Sequence, residues 1–311
     1  MTNRPLKIWF PNFETEAHRQ GWQGAQLVAR LAEEGVYCTL QMGADCNAVF
    51  VASFSISHDA AHGYTKHPYN RPIAGYRQFS GIPVIHFCWD LYPWKIEGDN
   101  DPTRWRSYLT ELRSKQTVAI FVPSHCTVER VREYTKKEAK VVLSSTTFWD
   151  SPVSDGRYVV DVMRPYPGDP NNDLCQRVCN DLGIPCCKLD HELSQEEFHK
   201  LVAGASVLIS AVQEASTGGL TLLEGYALGK PVLLAHSDRH GGVDYFGDRA
   251  HYFQWDQPGN FRDVLLTLWN ASESTPIPGE LVAERRVWAE ENYSTEAFAR
   301  RLTTAIREVL G

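Results

Sequence analysis

The sequence predicts an α/β protein with two domains, each built on a parallel β-sheet covered by helices. Short apolar runs of strand length alternate with helical patterns along almost the whole chain. The chain has 311 residues, enough for about two domains of roughly 150 residues each. A stretch rich in Ser, Thr, Asp, Pro and Gly at 144–156 is typical of a linker between them.

The first half begins with a strand and continues as a βα succession. Strands are predicted at Leu6–Phe10, Val36–Gln41, Ala48–Val51, Pro83–Phe87, Thr117–Val122 and Val141–Leu143. Helices are predicted at Gly21–Glu34, Arg104–Lys115 and Thr127–Tyr134, the last with Ser124 as a potential cap.

The second half repeats this alternation after the linker. Strands are predicted at Tyr158–Val162, Pro185–Leu189, Val207–Ile209 and Pro231–Leu234, with His251–Gln254 as an edge strand. Helices are predicted at Asn172–Leu182, Ser194–Val202, Leu220–Leu228, Asn260–Trp269, Leu281–Glu291 and from Ser294 to Leu310. Ser194 and Glu197 form the pattern of a capping box, and residues 270–279 are predicted to be a loop. The two halves are therefore expected to be two Rossmann-like domains that face a cleft.

Composition excludes several classes of protein. Hydrophobic residues make up 43% and charged residues 22% of the chain, as in ordinary globular proteins. The net charge of −7 argues against a protein that coats nucleic acid. No apolar run approaches the ~18 residues of a transmembrane segment, and no signal peptide is recognisable, so a cytoplasmic location is expected.

Eight cysteines are present, and four of them are close in sequence. Cys175 and Cys179 have helical i,i+4 spacing, and Cys186 and Cys187 follow, with His191 nearby. Adjacent strand residues point to opposite faces, so four thiols would not converge easily. Structural cysteines are predicted rather than a zinc site, and no metal ligands are assigned.

The stretch 207–234 carries the clearest functional pattern. A buried strand is followed by the small-residue loop Ala215–Gly219 and then by a helix that contains Glu224. Glycines allow close approach of a ligand, and a helix N-terminus offers N–H groups to an anion. A carboxylate one turn further can accept hydrogen bonds from a ribose. This combination predicts a nucleotide diphosphate as ligand.

Six segments together resemble the GT-B glycosyltransferases, specifically the retaining family 4. They read QGWQGAQLVARLAEEGV, IPVIHFCWDLYPW, VAIFVPSHCTVERVREY, GASVLISAVQEASTGGLTLLEGYALGKPVLL, GGVDYFGDRAHYF and NYSTEAFARRL. The resemblance implies an acceptor domain at 1–150 and a nucleotide-sugar donor domain at 151–294. It also implies that the final helix, 295–311, crosses back to the N-terminal domain.

The resemblance further implies transfer of a sugar from a nucleotide-diphosphate sugar to an acceptor hydroxyl, with retention of configuration and without a metal or other cofactor. The acceptor is open among a small molecule, a glycan and a nucleic acid. Two other hypotheses are a catalytically silent nucleotide-binding protein of this fold and a nucleotide-sugar epimerase.

Site residues carried over from the family fall into three groups. The catalytic candidates are Asp90, Arg164 and Glu214. The donor-binding candidates are Ser216, Thr217, Gly218, Gly219, Leu220, Glu224 and His191. The candidates in the first loop or near the acceptor are His18, Gly21, Gly24 and His86, of which His86 also fits a buried core histidine.

The sequence departs from the family pattern at three places. Ser216 stands where the first of two acids is usual, with Glu214 two residues earlier. The lysine that normally follows the arginine matched by Arg164 is missing, and Trp89 replaces the histidine before Asp90. These departures motivate the hypothesis of a silent nucleotide-binding protein.

Overall fold

The computed structural model describes residues 4–10, 24–39, 45–53, 81–88, 109–150, 156–162, 169, 171, 173–189, 193–215, 219–274 and 277–311. The chain divides into two compact units. The first unit comprises Met1–Ser144 together with Thr295–Gly311, and the second comprises Ser145–Ser294.

The first unit is built on a six-stranded parallel sheet of order β2-β1-β3-β4-β5-β6. Its strands are β1 (Leu6–Trp9), β2 (Val36–Thr39), β3 (Ala48–Ser53), β4 (Val84–Cys88), β5 (Thr117–Val122) and β6 (Lys140–Val141). Its helices are α1 (Gly24–Glu33) and α2 (His125–Thr135), and residues 109–113 are also helical.

The centre of this sheet is buried, and mostly apolar, because both of its faces are covered. Every residue of β4 is buried. Aromatic rings fill one face, where Phe10 and Phe50 stack at 4.7 Å between ring centroids.

The last helix of the chain, α9 (Thr295–Leu310), packs into this same core. Phe298 meets Phe87 edge to face at 5.9 Å between ring centroids. At the far end, the Arg307 guanidinium donates hydrogen bonds to the carbonyl oxygens of Arg4 and Glu34. Residues 295–310 are therefore an integral part of the first unit.

The second unit contains a five-stranded parallel sheet of order β11-β10-β9-β7-β8. Its strands are β7 (Val159–Asp161), β8 (Cys186–Lys188), β9 (Val207–Ser210), β10 (Val232–His236) and β11 (His251–Gln254). Its helices are α3 (Leu174–Leu182), α4 (Gln195–Gly204), α5 (Leu220–Ala227), α6 (Gly242–Phe246), α7 (Pro258–Ser274) and α8 (Gly279–Tyr293). The predicted α/β class with two parallel sheets is confirmed.

Local predictions mostly hold, with three corrections. Both hydrogen bonds of the predicted capping box between Ser194 and Glu197 are present. Ser124 does occupy the N-cap of α2, but its hydroxyl contacts Cys126 and Thr127 and caps no backbone amide. The predicted loop at 270–279 is wrong in its first half, because α7 continues to Ser274. Helix α6 was not predicted.

Among the residues that the structure describes, no helix combines the length and the apolar character needed to cross a lipid bilayer.

Candidate functional site

The second unit has a topological switch point between β7 and β9. The chain leaves β7 towards β8 on one side of the sheet and returns to β9 on the other side. Loops that follow adjacent strands then diverge and leave a crevice at the carboxyl end of the sheet, where α/β proteins bind ligands. The described residues that follow these two strands include Asp169 and Asn171 after β7 and 211–215 after β9.

These two loops are joined by hydrogen bonds around Asp169 and Asn171. The Asp169 carboxylate accepts from the backbone N–H groups of Asn171, at 2.8 Å, and Gln213, at 3.2 Å. The Asn171 Nδ2 donates to the carbonyl oxygens of Ala211, at 3.1 Å, and Trp255, at 3.0 Å. Asp169 and Asn171 are buried, so these hydrogen bonds hold the described part of one loop against the start of the other.

The loop after β9 is also fixed on its other side, to the loop after β10. Ala215 and His240 form an isolated parallel bridge, and the Gly241 N–H donates to the Ala215 carbonyl at 2.6 Å. The buried Glu214 carboxylate lies 3.6 Å from the Arg239 guanidinium. Glu214 therefore sits in a constrained loop with a cation beside it.

His240 is buried and connects the end of β9 to the start of α6. Its Nδ1 accepts a hydrogen bond from the Gly242 N–H at 3.1 Å, which leaves the proton on Nε2. Nε2 lies 2.9 Å from the Ser210 hydroxyl at the end of β9 and donates to it. Burial lowers the pKa of His240 to about 4, so the ring is neutral at physiological pH.

Helix α5 begins at the crevice without a side-chain cap. Its N-cap is Gly219, at φ +85°, a conformation that glycine adopts far more readily than other residues. Glycine has no side chain that could bond to the amides of the first turn, which begins at Leu220. The positive end of the helix dipole is thus presented at the predicted phosphate-binding loop.

The body of α5 packs closely on the sheet. A methyl group on Gly225 would overlap the side chain of Leu208 in β9. Leu222, Leu223 and Tyr226 are buried on the same helix. This packing fixes the position of the one acid that the helix carries.

Glu224 is that acid, and its carboxylate is only partly exposed. Its Oε1 accepts a hydrogen bond from the Thr146 hydroxyl at 2.6 Å. Burial raises the pKa of Glu224 from 4.5 to about 7, although the Thr146 hydroxyl and the indole N–H of Trp149 both lower it. The Trp149 Nε1 is buried and makes no hydrogen bond of ordinary geometry. The carboxylate is therefore poorly solvated and has few donors.

The structure brings four of the predicted site residues together on one segment. Glu214, Gly219, Leu220 and Glu224 all lie between the end of β9 and the middle of α5. The remaining donor and catalytic candidates lie outside the described residues: Asp90, Arg164, His191, Ser216, Thr217 and Gly218.

The candidates from the first half belong to the first unit. Gly24 is the first residue of α1, and His86 lies in the middle of β4. His86 is fully buried, and burial lowers its pKa to about 3, so its ring is neutral. His18 and Gly21 lie outside the described residues.

Several residues of the site were missed by the sequence analysis: Thr146, Trp149, Asp169, Asn171, Arg239 and His240. Thr146 and Trp149 lie in the predicted linker, yet Ser144, Ser145 and Thr146 are buried. The signal for Asp169 and Asn171 was an Asp-Pro-Asn sequence just after a strand, where Asx side chains bind nearby backbone.

Three of the four clustered thiols do converge. The sulfur atoms of Cys175, Cys179 and Cys186 all lie within 4.8 Å of one another. Cys187 is not part of this group, as the alternation of strand side chains predicts.

Comparison with known proteins gives structural matches only. No protein-family model matches the sequence, and no curated protein does so either. Sucrose-phosphate synthase (tll1590) from Thermosynechococcus elongatus matches with a TM-score of 0.60 at 13% identity, covering 98% of this chain and 99% of that one. Anabaena Alr3699/HepE in complex with UDP and glucose matches with a TM-score of 0.61 at 13% identity, covering 97% and 100%.

A glycosyltransferase from Rickettsia africae ESF-5 matches over 99% of both chains, with a TM-score of 0.53 at 12% identity. At these identities the matches establish the fold alone. The chain has the two-sheet α/β fold of GT-B glycosyltransferases, as the sequence predicted.

Proposed function

We propose that this protein is a glycosyltransferase that moves a sugar from a nucleotide-diphosphate sugar to an acceptor hydroxyl, with retention of configuration. The observation that carries the proposal is Glu224, a poorly solvated acid beside the switch point of the second unit. Burying an acid with few donors costs free energy in the free protein. A ligand that brings two hydroxyl donors would offset that cost.

The donor nucleotide is the ligand that fits this requirement. The ribose 2′- and 3′-hydroxyls both donate, and a carboxylate accepts on two oxygens. The proposal is supported by HepE, a protein of this fold that was crystallised with UDP and with UDP-glucose. In this chain Glu224 would accept both hydroxyls, with Thr146 holding one carboxylate oxygen in place.

The diphosphate would lie at the N-terminus of α5. The backbone amides at Gly219 and Leu220 and the helix dipole favour an anion there. We propose that Ser216, Thr217 and Gly218 complete the loop and that the Arg164 guanidinium binds the phosphates. Negative charge on the departing diphosphate grows as the glycosidic bond breaks, so these groups accelerate the chemical step.

The rest of the donor site and the acceptor site are assigned as follows. Glu214, held beside Arg239, faces the transferred sugar, and His191 contributes to the donor side. We propose that Asp90 positions the acceptor hydroxyl and that His18, Gly21 and Gly24 contribute to the acceptor side. The acceptor attacks on the face from which the diphosphate leaves, which gives retention. Protein cations, not a metal ion, neutralise the leaving group.

The proposal is tested by incubating the full-length protein with a panel of nucleotide sugars and acceptors. Product chromatography should show transfer that falls at least ~100-fold in Glu224→Ala and in Arg164→Ala. The product should keep the anomeric configuration of the donor by NMR, and added Mg²⁺ or Mn²⁺ should not raise the rate. Wild-type rates in both variants would contradict the assignment.

The same experiment separates the two rival functions. Nucleotide binding without turnover across the panel would identify a silent binding protein. An altered nucleotide sugar formed in the absence of any acceptor would identify an epimerase.

A further inference from the structure

We infer that Cys175, Cys179 and Cys186 form a binding site for one thiophilic d¹⁰ cation, of which Zn²⁺ is the probe, and that the ion ties α3 to β8. This inference is independent of the proposed function. It starts from the three sulfur atoms, which lie within 4.8 Å of one another in the second unit.

The distances suit zinc coordination with small adjustments. Zn–S bonds are about 2.3 Å long, so two thiolates on one tetrahedral ion are about 3.8 Å apart. The Cys175 and Cys186 sulfurs are already 3.7 Å apart. The Cys179 sulfur lies within 4.8 Å of both, so it is at most about 1 Å beyond the separation that zinc requires.

The three ligands are presented by regular elements and not by loops. Cys175 and Cys179 are one turn apart on α3, so both side chains leave the same face of the helix. Cys186 is the first residue of β8, directly opposite Val159 of β7. Sites held by helices and strands are preorganised, which limits the entropy lost on binding an ion.

The charges nearby favour a cation with thiolate ligands. Thiolates are the form of cysteine that binds zinc, so a positive charge close to the three sulfurs stabilises the ligand set. Lys188, ion-paired with Asp173 at 2.8 Å, offsets part of the negative charge of the three thiolates.

The position of the site explains what an ion would stabilise. β8 has three residues and, among the described strands, lies at the edge of the sheet with β7 as its partner. So short an edge strand contributes little stability by itself. An ion that bridges α3 and β8 would fix this edge.

The inference is tested on the reduced, full-length protein after removal of metal. Titration with Zn²⁺ against a chromogenic chelator should give one ion per chain, and Co²⁺ should give thiolate charge-transfer absorption. Cys186→Ser and Cys179→Ser should each weaken Zn²⁺ binding by at least ~100-fold. Cys187→Ser is the matched control, because its thiol lies on the opposite face of the same strand, and it should bind like the wild type.

A second measurement needs no variant. Bound Zn²⁺ should protect the half-buried Cys186 from alkylation in wild-type protein, as read by mass spectrometry, while the half-buried Cys187 reacts at an unchanged rate. Lack of Zn²⁺ binding by the wild type, equal binding by Cys186→Ser, or an air-formed Cys175–Cys186 disulfide in place of metal binding would each overturn the inference.

Discussion

The raised pKa of Glu224 predicts a stability change with a definite sign. In the native protein the Glu224 carboxyl has a pKa of about 7, so it stays protonated between pH 4.5 and 7. In the unfolded chain the same carboxyl is ionised over this range. The free energy of unfolding must then fall as pH rises through this window. Glu224→Gln removes the titration and keeps an oxygen that can accept from Thr146.

The magnitude follows from the shift. Each pKa unit corresponds to about 1.4 kcal/mol, so a rise from 4.5 to about 7 corresponds to roughly 3 kcal/mol between pH 4.5 and 8. Urea unfolding at several pH values should show Glu224→Gln gaining about 3 kcal/mol over the wild type across that interval.

A control of opposite sign is available in the capping box of α4. Hydrogen bonds from Ser194 lower the pKa of Glu197, so its contribution to stability is lost as pH falls through the acid range. The free energy of unfolding of Glu197→Gln should therefore fall relative to that of the wild type as pH rises from the acid range.

If the free energies of unfolding of Glu224→Gln and the wild type changed with pH in parallel, the reasoning about the burial of Glu224 would be refuted.

Three further predictions concern the same unit. Calorimetry should show that a nucleotide diphosphate binds the wild type about 10-fold more tightly at pH 8 than at pH 6, because the ribose hydroxyls donate to ionised Glu224. The difference in affinity between the wild type and Glu224→Gln should vanish at low pH. Asn171→Ala should cost about 2 kcal/mol in urea unfolding, because two carbonyls lose their donor; a cost under ~0.5 kcal/mol would contradict this role. Gly225→Val should lower the free energy of unfolding by about 2 kcal/mol or more through overlap with Leu208, whereas Gly259→Ala, with open space around it, should leave stability equal or higher.

The fold was predictable because each buried parallel strand has its own sequence signal. Val207–Ile209 is uniformly apolar, and all of β9 is buried, as expected for a strand covered on both faces. The predicted loop at 270–279 is wrong in its first half because polar residues such as Asn270 and Ser272 are typical of loops. The same residues also occur on the exposed side of a helix, where they lie at the end of α7.

The candidate site was predictable only where its residues are close in sequence. Gly219, Leu220 and Glu224 share one strand–loop–helix segment, and that segment is recognisable without a structure. Thr146, by contrast, meets Glu224 across 78 residues, and periodicity carries no information about such a contact.

The contacts that shape the crevice are equally remote. Asn171 reaches Trp255 across 84 residues, through a pairing that exists only once β7, β9 and β11 share a sheet. Strand alternation predicts that the four thiols do not all converge, but it gives no measure of how closely the Cys186 sulfur approaches α3.

The central claim is that Glu224 binds the ribose of a nucleotide diphosphate. Calorimetric titration of UDP, GDP and ADP into wild type, Glu224→Gln and the control Glu197→Gln at pH 8 tests it most directly. One diphosphate should bind wild type and Glu197→Gln with equal affinity and bind Glu224→Gln at least ~10-fold more weakly, as expected when hydrogen bonds to a charged group are lost. No binding by the wild type, or equal affinity in Glu224→Gln, would contradict the claim.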